Sequence, residues 1–330
     1  MNNCVDLTII GGGPVGLFAA FYAGLRQMSV RIIDSLPDLG GQLTALYPEK
    51  YVYDMPGFPK VLAKDLAKEL EIQGLQFGAE VVLEETAEHL DRVDDYYRIT
   101  TVSGKPFDTR TLIIAAGAGA FSPTKVGVER EEEFVGKGLA YGVRDTAIFR
   151  NKRVGIVGGG DSALDWCMHL ESIAKEIVLI HRRDQFRAHE DSVEKVMSGP
   201  AKKKLWNVVV ELHGDAQLTG VTLENTQTKV REQLELDALV VNIGFKSSLG
   251  PIKEWGLEIE KNQIVVNRHF ETNLSGIFAV GDVCRFEEKL KLIATGVGEA
   301  VTAVCMAKLR LDPAAKLFPG HSSELDLSVK

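Results

Sequence analysis

An α/β fold, with two domains that each lay a parallel sheet against helices, is predicted by three observations. The glycine-rich turn Gly11-Gly12-Gly13-Pro14-Val15-Gly16 follows the apolar run Val5–Ile10. A second turn, Gly158-Gly159-Gly160-Asp161-Ser162-Ala163, follows Arg153–Val157. In both cases a second strand ends 23 residues after the first glycine, at Asp34 and at His181. One such turn is weak evidence, because glycine-rich turns open many helices; two at matched spacing, each between a strand-like and a helix-like run, specify the class.

The first unit runs from the Val5 strand through a helix of about residues 14–26 to the strand Val30–Asp34. An amphipathic helix near Leu62–Ile72 follows, then β-rich stretches at Glu80–Leu83 and Tyr96–Val102, then a buried strand Thr111–Ala115 ending in Ala116-Gly117. The second unit begins near Asn151 and continues with a helix over Asp161–Ile173 and a strand over Glu176–Ile180. A hairpin-like pair, about 217–224 and 230–236, precedes the apolar strand Ala238–Ile243, which ends in Gly244. After that come a buried strand, Gly276–Val280, ending in Gly281-Asp282, and a helix over about Leu292–Leu309. A late strand of this kind completes the sheet of the first domain, so the second domain reads as an insertion. The expected division is 1–118, 119–244 and 245–330, with hinges near Gly119–Pro123 and Gly244–Ser248. Gly117 and Gly244 are expected to permit the close crossing of the two connections.

At such a turn, bare backbone N–H groups and the positive end of a helix dipole receive a dinucleotide pyrophosphate. An acid at the end of the second strand accepts from a ribose 2′-hydroxyl, whereas arginines there pair with a 2′-phosphate. Asp34 in the first unit and His181-Arg182-Arg183 in the second therefore point to two Rossmann-like domains holding different nucleotides, FAD and NADPH. A protein that holds both is expected to be a flavoprotein reductase.

Composition limits the partners. The chain of 330 residues carries a net charge of −8 with 45% hydrophobic residues, an isoelectric point near 5.5 and a mean hydropathy of −0.01. No general electrostatic case exists for nucleic acid or an anionic membrane, and Lys202-Lys203-Lys204 is expected to be a solvated loop. The apolar stretch Val5–Leu25 lacks a basic leader and contains Asp6 and five glycines, so it reads as strand plus helix, in a protein expected in the cytoplasm. Cys4, Cys167, Cys284 and Cys305 are too scattered for a disulfide framework or a zinc site. All four are expected to be small buried hydrophobes, and no metal is expected.

With these residues in place the chain resembles the two-dinucleotide flavoprotein reductases of the thioredoxin reductase group. The resemblance covers nearly its whole length and rests on both glycine turns, Gly40-Gly41-Gln42-Leu43, Pro56-Gly57-Phe58-Pro59, Ala115-Ala116-Gly117, His181-Arg182-Arg183 with Arg187-Ala188, and Gly281-Asp282. One departure matters. Thioredoxin reductases carry a Cys-x-x-Cys dithiol shortly before the second turn, where this chain has Gly138-Leu139-Ala140-Tyr141-Gly142-Val143-Arg144-Asp145. Without a dithiol to take the electron pair, direct reduction of a protein disulfide is not supported. The departure, with Ala45–Lys50, His181–Glu190 and the extension Phe318–Ser323, makes the chain similar to the thioredoxin-reductase-like ferredoxin–NADP⁺ reductases. Members of that branch are homodimers, and the extension of one subunit covers the flavin of the other.

The resemblance implies roles residue by residue. Gly11, Gly13 and Gly16 let the FAD pyrophosphate approach, Asp34 holds its adenosine ribose, Gln42 contacts FAD, and Asp282 bonds its ribityl chain. Ala87, Phe121 and Ser323 match further FAD positions. Tyr47 and His321 would stack on opposite flavin faces, so that His321 could gate hydride transfer. In the second unit Gly158, Gly160 and Ala163 cradle the NADPH pyrophosphate, while Arg182, Arg183 and Arg187 take the 2′-phosphate. Hydride transfer requires no acid–base side chain, and none is assigned. The implied activity is exchange of electrons between NADPH and ferredoxin or flavodoxin. An NADPH diaphorase or quinone reductase with a small-molecule acceptor, and a non-catalytic flavin redox sensor, are the alternatives.

Overall fold

Strand Val5–Ile10 is buried along almost its whole length, as a strand covered on both faces must be. In the computed structural model, which describes residues 4–143, 146–318 and 320–321, it is the centre of a parallel sheet. Val30–Ile33 pairs with one of its edges and carries Glu80–Val82 beyond it. The other edge pairs with Pro106–Ile114, a strand that changes partner halfway. Its first half runs antiparallel to Tyr96–Thr101, and its last three residues run parallel to Ile277–Ala279. That late strand thus joins the sheet begun by the first residues of the chain.

Alternation along the sheet divides the apolar side chains between two cores. Leu7, Ile9 and Ile113 pack with Leu17 and Ala20 of helix Pro14–Leu25 and with Val304 of helix Ile293–Leu311. Ile10, Leu112, Ile114 and Ile277 pack on the opposite face with Leu249 and Trp255.

Chain contacts divide the protein into two compact units, residues 1–121 with 247–330, and residues 122–246. The boundaries fall a few residues beyond those expected from sequence. The chain leaves and re-enters through Ala120–Pro123 and Phe245–Ser248, which pair as a two-stranded ribbon. Gly119, not Gly117 or Gly244, is the glycine that the close crossing requires. A Cβ there would lie 2.1 Å from the Ser248 carbonyl oxygen, whereas one on Gly244 would meet nothing and one on Gly117 only the Gln42 amide at 3.3 Å.

The second unit holds a parallel sheet in the order Leu139–Ala140, Ala238–Asn242, Arg153–Gly158, Glu176–His181 and Lys202–Leu205. The three lysines are therefore an edge strand and not the expected loop. Lys202 pairs with Glu176 at 2.8 Å and Lys204 with Glu232 at 2.6 Å, and charge on an edge strand discourages pairing with another chain. The expected hairpin is a three-stranded antiparallel meander, because Asn207–Gly214 precedes and pairs with Leu218–Asn225, which pairs with Arg231–Glu235.

Cys167, Cys284 and Cys305 are buried as expected, but Cys4 is only half-buried at the end of the first strand. Burial pushes the thiols of Cys167 and Cys284 up to about 12, which leaves them protonated and unreactive at neutral pH. No helix among the described residues is long and apolar enough to cross a membrane.

Candidate functional site

The N-termini of two helices of the first unit open on one cavity of about 680 Å³, a size that suits a small-molecule site. Helix Pro14–Leu25 begins after Gly13 with Pro14 in its first turn, and helix Ile293–Leu311 begins after Leu292. Neither has a side-chain cap or an acidic residue in its first turn. Their first N–H groups and dipoles therefore remain available to an anion or to an electron-rich ring edge. The turn is tight because Gly16 lies against Gly11: a Cβ on Gly16 would be 1.9 Å from the Gly11 carbonyl oxygen. A second close approach, Gly41 on Gly13, brings the Gly40–Leu43 segment over the turn; a Cβ on Gly41 would be 2.9 Å from the Gly13 Cα.

Gly11, Gly13, Asp34, Gln42, Tyr47, Ala87 and Asp282 all line this cavity. Gly16 stands just behind it as the packing glycine. Asp34, 8% exposed, accepts from Gly12 N–H at 2.6 Å and Leu36 N–H at 2.8 Å. Burial pushes its carboxyl above the ordinary range, against the pull of the backbone N–H groups of Leu36, Gly12 and Ser35. Burial also raises the Tyr47 phenol, with the nearby Asp282 and Asp54 carboxylates acting the same way. Lys289 and Glu299, both side chains 5% exposed, form an ion pair below the Gly-Asp turn. There Glu299 Oε2 accepts the Gly281 N–H at 2.8 Å.

One expected residue is not brought to this chain's own cavity. His321 is exposed and lies edge-on to Phe318 at 5.2 Å; it is not among the cavity's lining residues. Phe121 falls on the connecting strand Ala120–Pro123, and its side chain, like all of Ser323, lies outside the described residues. Other lining residues carried no local signal in the sequence: Glu85 and Thr86 from the strand-to-strand turn, and Leu249, Pro251 and Ile252 from beyond the second connection. The Glu85 carboxyl is held down to about 2 by hydrogen bonds from Lys105, Thr101 and Ser103.

In the second unit Gly158 ends its strand and Gly160 precedes helix Asp161–Leu170, whose N-terminus again has no side-chain cap. Ala163 is fully buried in the first turn. The arginine loop is tied to this turn by Arg187 N–H on the Gly159 carbonyl at 2.8 Å and by His189 N–H on Asp161 Oδ1 at 2.9 Å. His181 stacks on Phe186 at 4.9 Å with its Nε2 3.0 Å from the Gln185 carbonyl, and burial pulls its pKa down. It props the loop. Arg182 and Arg187 are exposed and Arg183 half-exposed, and none of the three pairs with a carboxylate among the described residues.

The donor set fits the two dinucleotides. Uncapped helix N-termini suit pyrophosphates, the buried Asp34 suits a free ribose hydroxyl, and unpaired guanidiniums suit a 2′-phosphate.

Comparison with known proteins agrees. The family model for pyridine nucleotide-disulphide oxidoreductases matches residues 5–307. A "Ferredoxin--NADP reductase 2" of Shouchella clausii (strain KSM-K16) is 52% identical over 325 residues, spanning 98% of each chain. A protein of the same name from Bacillus subtilis (strain 168) is 51% identical over 97% of this chain and 96% of its own. Among solved structures, the thioredoxin reductase of Lactococcus lactis (FR conformation) is 27% identical with a TM-score of 0.74, over 92% of this chain and 97% of its own. By fold, cavity chemistry and likeness over nearly its full length, the chain belongs to the pyridine nucleotide-disulphide oxidoreductase family.

Proposed function

We propose that this protein is an FAD-dependent ferredoxin–NADP⁺ reductase that exchanges electrons between NADPH and ferredoxin or flavodoxin. The observation that carries this reading is a family fold without the family's dithiol. The chain has four cysteines and no Cys-x-x-Cys, and the three that are buried are free. With no sulfur pair to relay electrons, the flavin itself must pass them to the acceptor. Near-complete overlap with relatives named for ferredoxin and NADP supports the choice of partners.

The chain's residues then divide the work. Gly11, Gly13 and Gly16, with the N-terminus of helix Pro14–Leu25, would hold the FAD pyrophosphate, and Asp34 its adenosine ribose. Gln42, Tyr47, Asp282 and the N-terminus of helix Ile293–Leu311 would hold the ring end. FAD, when bound, supplies the chemistry: it takes electrons in pairs from NADPH and passes them on singly. The N-terminus of helix Ile293–Leu311, which lines the cavity, would place its positive end where negative charge accumulates on reduction, which would favour reduction. Tyr47 closes one side of the cavity to water. Gly158, Gly160 and Ala163 would receive the NADPH pyrophosphate, and Arg182, Arg183 and Arg187 its 2′-phosphate.

The active form is a homodimer in the cytoplasm, in which the extension carrying His321 serves the flavin of the other copy; the exposure of His321 away from its own chain's cavity supports this. The test is cytochrome c reduction by NADPH with and without ferredoxin, beside a thioredoxin control. Strict dependence on ferredoxin is expected. Equal rates without it would make the protein a diaphorase, and efficient thioredoxin reduction would refute the reading.

A further inference from the structure

Asn242 closes the Ala238–Asn242 strand, and successive side chains of a strand point to opposite faces. Leu239 and Val241 pack under the antiparallel meander with Val221 and Leu223. Ala238 and Val240 pack on the other face, with Ala163 and Leu164 of helix Asp161–Leu170. By that alternation Asn242 belongs to the helix face, at the carboxyl end of the sheet, in register with Gly158. A Cβ on Gly158 would be 2.3 Å from the Asn242 carbonyl oxygen, so strand end and glycine turn touch.

Its side-chain Nδ2 is buried and has no hydrogen-bond partner among the described residues. A buried amide without an acceptor is unfavourable, and such groups are rare in folded proteins. Thr8 Oγ1 is in the same condition, but it lies in the middle of the Val5–Ile10 strand. Asn242 lies where the strands of an open α/β sheet present a ligand. An apolar side chain would serve the fold better at this position, so the amide points to an acceptor that arrives with the ligand.

We propose that Asn242 Nδ2 donates a hydrogen bond to an oxygen of the bound nicotinamide dinucleotide, in the pyrophosphate–ribose span that NADPH and NADH share. The inference rests on the reading that the second glycine turn holds NADPH. It gives Asn242 a role distinct from the arginines, which face only the 2′-phosphate.

The test uses the FAD-loaded enzyme with Asn242→Leu, close in shape but without a donor, and Asn242→Ala, which cannot overpack. Arg182→Ala with Arg183→Ala serves as control. For both Asn242 variants the KM of NADPH and of NADH should rise together by about 10–150-fold, the range of one hydrogen bond to a charged group. The melting temperature should stay level or rise, because an orphaned amide has been removed. Unchanged KM values for both coenzymes, while the arginine variant still loses NADPH, would overturn the role of Asn242 and leave the NADPH site standing. A loss confined to NADPH would overturn it too, by moving the contact to the 2′-phosphate. A melting temperature that falls in both variants would make the amide part of the fold and overturn it. If neither the Asn242 nor the arginine variants change the KM of NADPH, the site reading itself fails.

Discussion

Arg182 and Arg183 stand beside the second glycine turn with no carboxylate to hold them among the described residues, so a phosphate can engage both without first breaking an ion pair. At such an exposed site, charge-assisted bonds from the two arginines together contribute about 1.5–3 kcal/mol. Replacing both by alanine should raise the KM of NADPH by roughly 10–100-fold, with kcat nearly intact, because a remote phosphate contributes the same binding before and during the reaction. Steady-state kinetics with NADH, which lacks the phosphate, should barely change. These arginines and Asp34 are legible in the sequence because a strand–turn–helix–strand unit sets their distance from the glycines, whatever the rest of the chain does. Leu249, Pro251 and Ile252 line the same cavity as Asp34, yet they reach it from the far end of the chain, and no local pattern records such a contact. Asn242 offered a faint signal as the polar residue within an otherwise apolar strand.

Between elements, backbone proximity and charge decide what composition obscures. Gly119 has φ +91° and would place a Cβ 2.1 Å from the Ser248 carbonyl oxygen, so Gly119→Ala meets both a left-handed conformation and a backbone clash. A loss of about 2–4 kcal/mol is expected, to be read in denaturant unfolding. Gly117 and Gly244 are better marked by sequence, each closing an apolar strand, but the chains meet two residues after Gly117. The lysine edge strand is hidden in sequence for a related reason: three consecutive charges suggest solvent, and only pairing with Glu176–His181 shows a strand.

The next strand pair carries a pH-dependent tie. Asp237 accepts from Arg153 N–H and its guanidinium at 2.8 Å, and these bonds lower its pKa from 3.8 to about 2. A carboxylate held below its unfolded value stabilises the fold above that value and loses its effect as pH falls toward the folded one. With 39% of the side chain exposed, solvent screening reduces the contribution to about 1 kcal/mol. Asp237→Asn should therefore lower the melting temperature at pH 7, and its difference from wild type should shrink steadily below pH 4. A difference independent of pH would place the effect elsewhere.

Across the whole molecule, the extension after the last helix is tied back to the first helix. Arg26, buried in the first helix's C-terminal turn, donates to the carbonyls of Lys316 at 2.6 Å and Leu317 at 2.8 Å. It thereby fixes the point from which the extension departs. Beyond that point Phe318 and His321 are exposed and touch each other, and nothing in the chain's own cavity calls for them. Tyr47, by contrast, already occupies that cavity and is half-buried there. An extension with a fixed root and an exposed His321 suits a role on a second copy, where His321 would cover the flavin face that nicotinamide must approach. Ending the chain before Gly320 should leave the first unit folded and able to hold FAD, since neither the sheet nor the cavity lining extends that far. It should change the rate of NADPH oxidation and shift the flavin absorbance bands, because removing a stacked ring alters the polarity around the flavin and access to it. Stopped-flow mixing with NADPH and a visible spectrum of the oxidised enzyme measure both. Identical rates and spectra in the truncated and full chains would remove His321 from the site and leave Tyr47, with Tyr51 and Tyr53, as the aromatic lining of the cavity.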